Sequence, residues 1–365
     1  METHHRVVVG DARQLDEVDT DSVELVVTSP PYPMIEMWDD LFSELDPDVG
    51  AAIDAGNGSE AFELMHAQLD AVWSELERVL VDGGIACVNV GDATRTLDGS
   101  FRVYQNHSRI VDALAERGFE PLPEILWRKP VNSAAKFMGS GMLPPNAYVT
   151  LEHEYVLVFR NGTEPRRFEP GSDRRYESAY FWEERNRWFS DLWEEITGEL
   201  QSLEGGELRD RSAAFPFEIP YRLINMYSVH GDTVLDPFWG TGTTSLAALV
   251  AGRDSVGYEL EAAFTDVFED RVWDTPALSE RVIRRRLADH RAFVDRRREA
   301  GVEFEYESAT YGFPVTTKQE RSLRFYAVED VESTDVGYRA TYEPIADSPD
   351  RVGGTTEDER SDTDA

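Results

Sequence analysis

Seven short apolar runs, separated by segments with helical periodicity, constrain this chain more than any other feature. They fall at residues 7–9, 23–27, 85–90, 125–127, 155–159, 233–236 and 255–258. Short runs this rich in apolar residues suit strands buried on both faces of a sheet. Between them, residues 61–81, 109–117, 217–229 and 243–251 read as helices. In the first of these, Phe62, Leu64, Leu69, Val72, Leu76 and Val79 form an apolar face. Asp82-Gly83-Gly84 looks like its stop signal. The alternation predicts an α/β fold, a mostly parallel sheet of seven strands with helices on both faces.

Composition bounds the setting. The 365 residues carry a net charge of −35, and lysine occurs only at Lys129, Lys136 and Lys318. A hydrophobic content of 41% argues for a folded chain despite the charge. Self-repulsion on this scale needs screening, so a salt-rich cytoplasm such as that of a haloarchaeon is expected. One cysteine, Cys87, excludes a disulfide framework and a multi-cysteine metal site. No run reaches the roughly 18 apolar residues of a membrane span, and the N-terminus does not read as a signal peptide. A cytoplasmic protein is expected, with no metal.

Three regions break the rhythm. Residues 37–59 are acidic and glycine-rich, an expected surface insertion. Residues 161–210 are rich in Arg, Trp and Glu without clear periodicity. After residue 270 comes an arginine-rich helix and an extension to 345. Residues 346–365 are polar and acidic, an expected disordered tail.

Two loops carry chemistry. Thr28-Ser29-Pro30-Pro31-Tyr32 follows the second apolar run, and loops after strands of open α/β sheets are where ligands bind. Two prolines remove two N–H donors and leave rigid carbonyl acceptors. With the Ser29 hydroxyl and the flat ring of Tyr32, they suit a planar exocyclic amine. In the second loop a strand ends at Asp236, then Pro237-Phe238-Trp239-Gly240-Thr241-Gly242 leads to a helix at Thr243. Its glycines let a ligand approach the backbone. It lacks the third glycine of a dinucleotide fingerprint and the lysine of a P-loop. Twenty-three residues past Asp236, Glu259 closes the next strand, placed to accept from both hydroxyls of a ribose.

Together these loops resemble the S-adenosylmethionine-dependent DNA amino-methyltransferases of the permuted β group. Ser29-Pro30-Pro31-Tyr32 resembles their catalytic loop, and Asp236 to Thr243 their methionine-moiety loop. Gly10-Asp11 resembles the acid that reads the cofactor's adenine. Phe215-Pro216 resembles the segment that covers its methionine end. Leu80 to Gly84, Leu126 to Pro130 and Glu152 to Phe159 resemble intermediate motifs in the same order. The resemblance implies a catalytic domain over residues 1–265, a circularly permuted, Rossmann-like mixed sheet of seven strands beginning at the family's third strand and ending with its first two. It implies methyl transfer from S-adenosyl-L-methionine to the exocyclic amine of a base extruded from duplex DNA. Ser29 in the first motif position favours cytosine N4, with adenine N6 as the alternative. Cytosine C5 chemistry needs a cysteine nucleophile after proline, whereas Cys87 follows Ala86 in an apolar run.

The double-stranded DNA partner must be reconciled with the acidity. Residues 281–298 hold eight arginines against two aspartates, with Arg284 and Arg291 on one stripe. A second cluster, including Arg174 and Arg175, is interleaved with aromatics inside the expected target-recognition region, residues 161–210. Lys136 lies in a glycine-rich loop expected to line the DNA cleft. Intrachain pairing with nearby acids is the competing use of these bases. A methyltransferase acting on RNA or a protein amide usually places the cofactor loop first, and a non-catalytic DNA-binding relative would not keep both loops intact. A monomer or homodimer, associated with the nucleoid, is expected, with a cognate restriction endonuclease as a possible partner.

Overall fold

The computed structural model describes residues 1–129, 138–196 and 215–346. Lys136 and the tail beyond residue 346 lie outside them. Ten strands form one sheet among the described residues: β1 (Glu2–Val9), β2 (Val23–Thr28), β3 (Leu80–Val90), β4 (Phe119–Arg128), β5 (His153–Asn161), β6 (Leu192–Trp193), β7 (Thr233–Asp236), β8 (Asp254–Glu259), β9 (Tyr326–Thr334) and β10 (Gly337–Pro344). Their order is β6-β4-β5-β3-β2-β7-β8-β1-β10-β9. The five central strands β3, β2, β7, β8 and β1 run parallel. β5 runs antiparallel between β3 and β4.

The helices are α1 (Asp39–Leu45), α2 (Pro47–Asp54), α3 (Gly58–Val79), α4 (Asn106–Glu116), α5 (Asp173–Glu177), α6 (Trp182–Trp188), α7 (Glu218–Tyr227), α8 (Thr243–Ala251), α9 (Ala263–Val272) and α10 (Thr275–Glu299). Alternate residues of the central strands feed two cores. Val26, Ala86, Val88 and Leu157 pack with Met65, Leu69, Val72 and Trp73 of α3. Leu25, Val27, Cys87 and Val158 face the other way, toward Leu223 of α7 and Ala247 of α8. Burial on both sides is why these strands read as apolar-rich runs and do not alternate strictly.

The seven expected strands are all present, and three more join them. The C-terminal extension supplies two, because the β9–β10 hairpin pairs antiparallel with β1 through β10. Charged residues such as Glu329, Asp330, Glu332 and Arg339 interrupt this edge hairpin, so it contains no long apolar run. The third is the two-residue β6.

Asp82-Gly83-Gly84 does not end a helix. α3 stops at Val79, and the glycines lie inside β3, where the register against β2 shifts. Gly83 has φ +75°, and a Cβ there would come within 2.6 Å of the Arg166 amide nitrogen. Residues 37–59, the expected surface insertion, hold two helices. α1 and α2 bury Phe42, Val49 and Ala52 against the α3 core.

Candidate active site

The carboxyl ends of β1, β2, β7 and β8 open on one cavity of about 240 Å³. Because these strands are parallel, loops far apart in sequence meet there. Gly10, just after β1, donates its N–H to the Glu259 carbonyl at 2.9 Å, joining the β1 and β8 loops. The wall contains Asp11, Ser29, Pro30, Pro31, Phe215 and Asp236. It continues through Pro237, Phe238, Gly240, Thr241, Thr243 and Glu259. Residues of α1, Leu41 and Leu45 among them, complete it.

Two expected cofactor residues stand behind the wall. Pro216 follows the lining residue Phe215. Gly242, at φ +74°, caps α8, and a Cβ on it would sit 2.3 Å from Phe268 and 2.7 Å from Trp239. Its role is packing. Gly257 is similar, since a Cβ there would lie 2.1 Å from the Trp239 ring.

Asp236 ties the two loops together. It accepts from Thr28 Oγ1 at 2.6 Å, Thr244 Oγ1 at 2.6 Å and the Phe238 amide at 3.1 Å. Thr28 immediately precedes Ser29, and Thr244 lies in the first turn of α8. Burial nevertheless pushes the Asp236 carboxyl up to about 6, against these three donors. Glu259 accepts from the Gly240 and Glu261 amides at 2.8 and 2.9 Å, and burial raises it too. Burial pushes Asp11 up as well, but the hydrogen bonds and charge of Arg13 outweigh this and hold it below the usual carboxylate range. Arg13 reaches Asp11 at 2.6 Å and Gln68 of α3 at 2.6 Å.

A polar cluster sits around the Ser29–Tyr32 loop. The Tyr32 hydroxyl lies 3.1 Å from Ser29 Oγ, 2.9 Å from Glu154 Oε2 and 2.9 Å from Asn89 Nδ2. Lys129 Nζ donates to Glu154 Oε1 at 2.7 Å. Glu154 belongs to the motif Glu152 to Phe159 but was not expected in the site, and neither was Asn89. The available signal was the pair of acids, Glu152 and Glu154, ahead of the apolar run of β5.

The arginines are placed differently from the loops. Arg166 and Arg174 both bind Asp232, whose side chain is fully buried, at 2.7 and 2.6 Å. Asp232 precedes β7, so this pair lies at the amino end of the strand that carries Asp236 at its carboxyl end. Arg175 stacks 5.0 Å from the Phe168 ring. Arg284 pairs with Glu280 on the exposed side of α10, and Arg291 is half-buried on the same helix. Arg286, beside them, is buried against Glu184. None of these arginines lines the cavity.

The family model described as DNA methylase, for N6 and N4 methyltransferases, matches residues 23–270. This chain belongs to that DNA methylase family. The matched span runs from β2 into α9, so both loops of the cavity lie within it, and β1 and the β9–β10 hairpin lie outside. Among the relatives of this methylase, the Type II methyltransferase M.MthZI of Methanothermobacter thermautotrophicus is 51% identical over 329 residues, 89% of this chain and 91% of that protein. M.MjaI of Methanocaldococcus jannaschii is 50% identical over 281 residues, 74% and 91% of the two chains. The solved structure of TTHA0409 from Thermus thermophilus, complexed with S-adenosyl-L-methionine, is 32% identical. It matches with a TM-score of 0.58 over 74% of this chain and 94% of that one.

Proposed function

We propose that this DNA methylase transfers a methyl group from S-adenosyl-L-methionine to the N4 amine of cytosine in a short duplex sequence. The observation that carries the reading is the meeting of Ser29 and Pro30 with the glycine loop of β7 and Glu259 of β8 on one cavity.

The residues present fit the cofactor. Gly240, at φ +54°, has open space where a Cβ would stand. Thr243 Oγ1 is buried there without a partner, and α8 begins at this residue. A helix start favours a carboxylate such as that of the methionine moiety. The Glu259 oxygens, each holding one backbone amide, keep lone pairs for ribose hydroxyls. Asp11 is assigned to the adenine amine, and Phe215 and Phe238 to flanking apolar contact. When bound, the cofactor supplies an electrophilic methyl on a sulfonium centre.

The chain's own contribution is placement. Ser29 Oγ and the Pro30 carbonyl accept the protons of the target amine and favour a tetrahedral nitrogen. The Tyr32 ring, held at its hydroxyl, is the stacking surface that eases developing positive charge. No covalent enzyme intermediate is required, and Cys87, buried in β3 with its thiol raised by burial, has a packing role.

DNA approaches the carboxyl edge in this reading. β4 ends and β5 begins at that edge, and between them Met142 and Leu143 are exposed. Lys136 belongs to the same connection. Arg175, Arg284 and Arg291 are assigned to more distant phosphates, and Arg174 is already committed to Asp232. The high acidity belongs to a concentrated-salt cytoplasm, and a restriction endonuclease partner fits the Type II setting. Labelled cofactor offered with duplex DNA or RNA in concentrated potassium chloride tests the reading. Label in duplex DNA supports it; label only in RNA refutes it.

A further inference from the structure

Tyr32 has one phenolic proton and three polar neighbours: Glu154 Oε2, Ser29 Oγ and Asn89 Nδ2. This fixes where each proton goes. An ionised carboxylate only accepts, so Tyr32 donates to Glu154. The Asn89 amide nitrogen only donates; it gives one proton to Tyr32 and, at 2.7 Å, the other to Glu154. The reverse amide orientation would set two oxygens 2.7 Å apart. The Tyr32 oxygen has then spent its proton and can only accept from Ser29. Lys129, 2.7 Å from the second Glu154 oxygen, favours the charged carboxylate on which the sequence depends. Burial and the nearby Glu154 charge also raise Tyr32 well above its ordinary value, so its proton stays in place.

We propose that Glu154 is a positioning residue that sets the direction of the Ser29 hydroxyl through Tyr32, so that Ser29 presents only lone pairs to the substrate amine. Without this relay a serine proton is free to point at the amine's own protons. An aspartate at position 29 would accept without help; a serine there needs its hydroxyl polarised, and the Lys129–Glu154–Tyr32 chain does this. Glu154 lies at the start of β5 and Asn89 in β3, adjacent strands in the sheet, so the relay rests on rigid backbone rather than on a loop.

This inference rests on the proposed role of Ser29, and the test separates the two. Single-turnover methyl transfer to duplex DNA is measured for wild type, Ser29→Ala, Glu154→Gln, Tyr32→Phe and the double variant Glu154→Gln with Tyr32→Phe, with cofactor and DNA dissociation constants for each. Glutamine lacks the charge that holds the phenol proton, so the Tyr32 hydroxyl is no longer fixed and can turn toward Ser29. Glu154→Gln is expected to slow the chemical step about tenfold or more, with both dissociation constants within about twofold of wild type. Tyr32→Phe keeps the ring and breaks the relay, so it is expected to slow the step as well. In its background Glu154→Gln should add nothing, whereas a merely structural Glu154 would give additive losses. If Ser29→Ala leaves transfer intact, the assignment of Ser29 fails first. If Ser29→Ala is impaired while Glu154→Gln matches wild type, or the two losses add, the relay is overturned. Should Glu154→Gln not fold, wild-type rates from Tyr32→Phe overturn it alone.

Discussion

Replacing Asp236 with asparagine should make this protein more stable while weakening its hold on the cofactor. The carboxyl is buried, and burial lifts it from 3.8 to about 6 despite three hydrogen bonds. A shift of this size corresponds to about 3 kcal/mol of cost to the folded state at neutral pH. A carboxyl whose pKa rises on folding is penalised at every pH above about 6 and relieved as pH falls toward 3.8, because the folded form takes up the proton first. The asparagine side chain would carry no charge at any pH and could still accept from Thr28 and the Phe238 amide. Urea denaturation in constant potassium chloride is therefore expected to show Asp236→Asn more stable at pH 8, by about 1–3 kcal/mol after loss of charge-assisted bonding. The difference should shrink by about 1.4 kcal/mol between pH 8 and pH 5. Cofactor titration should show weaker binding by the variant, because the charge fixes Thr28 and Thr244 on either side of the site. A variant less stable at pH 8, or a difference that ignores pH, would refute the reasoning.

Other perturbations separate binding from chemistry and packing from both. Tyr32→Ala removes the stacking surface and should lose most turnover while cofactor affinity, measured by calorimetry, stays near wild type. Gly257→Ala drives a methyl group into the Trp239 ring from 2.1 Å, so melting should reveal a loss of about 1–3 kcal/mol; an unchanged melting temperature would mean that Trp239 is not seated there. Circular dichroism should show structure lost in dilute buffer and regained with potassium chloride, since screening relieves a charge of −35. Activity that peaks in dilute buffer and falls steadily with salt would mean that ordinary phosphate attraction dominates.

The central sheet was legible because parallel strands buried on both faces write themselves as apolar runs. Both loops were legible because proline and glycine patterns after strands are local. The β9–β10 hairpin was not, since an edge pair with one wet face mixes exposed acids with apolar residues, as with Glu329, Asp330 and Glu332 around Val328 and Val331 in β9. The α1–α2 wall was hidden for a related reason: three buried residues, Phe42, Val49 and Ala52, anchor an otherwise acidic stretch. Gly83 misled because a positive φ serves a strand bulge as well as a helix cap. Glu154 shows the deeper limit. Its partners Tyr32, Asn89 and Lys129 lie up to 122 residues away, and the pairing of β2 with β3, β3 with β5 and β4 with β5 brings them together. The arginines were ambiguous from the start. Arg166, Arg174 and Arg286 turn out to serve buried acids, a use that sequence spacing does not distinguish from phosphate contact.

The most direct test of the account is the identity of the product nucleoside. Duplex DNA incubated with the protein and isotope-labelled S-adenosyl-L-methionine in concentrated potassium chloride would be digested and its nucleosides resolved by mass spectrometry. The account predicts label in N4-methylcytosine, and its loss with Ser29→Ala. Label confined to N6-methyladenine, or no labelled base from duplex DNA of any sequence, would contradict it.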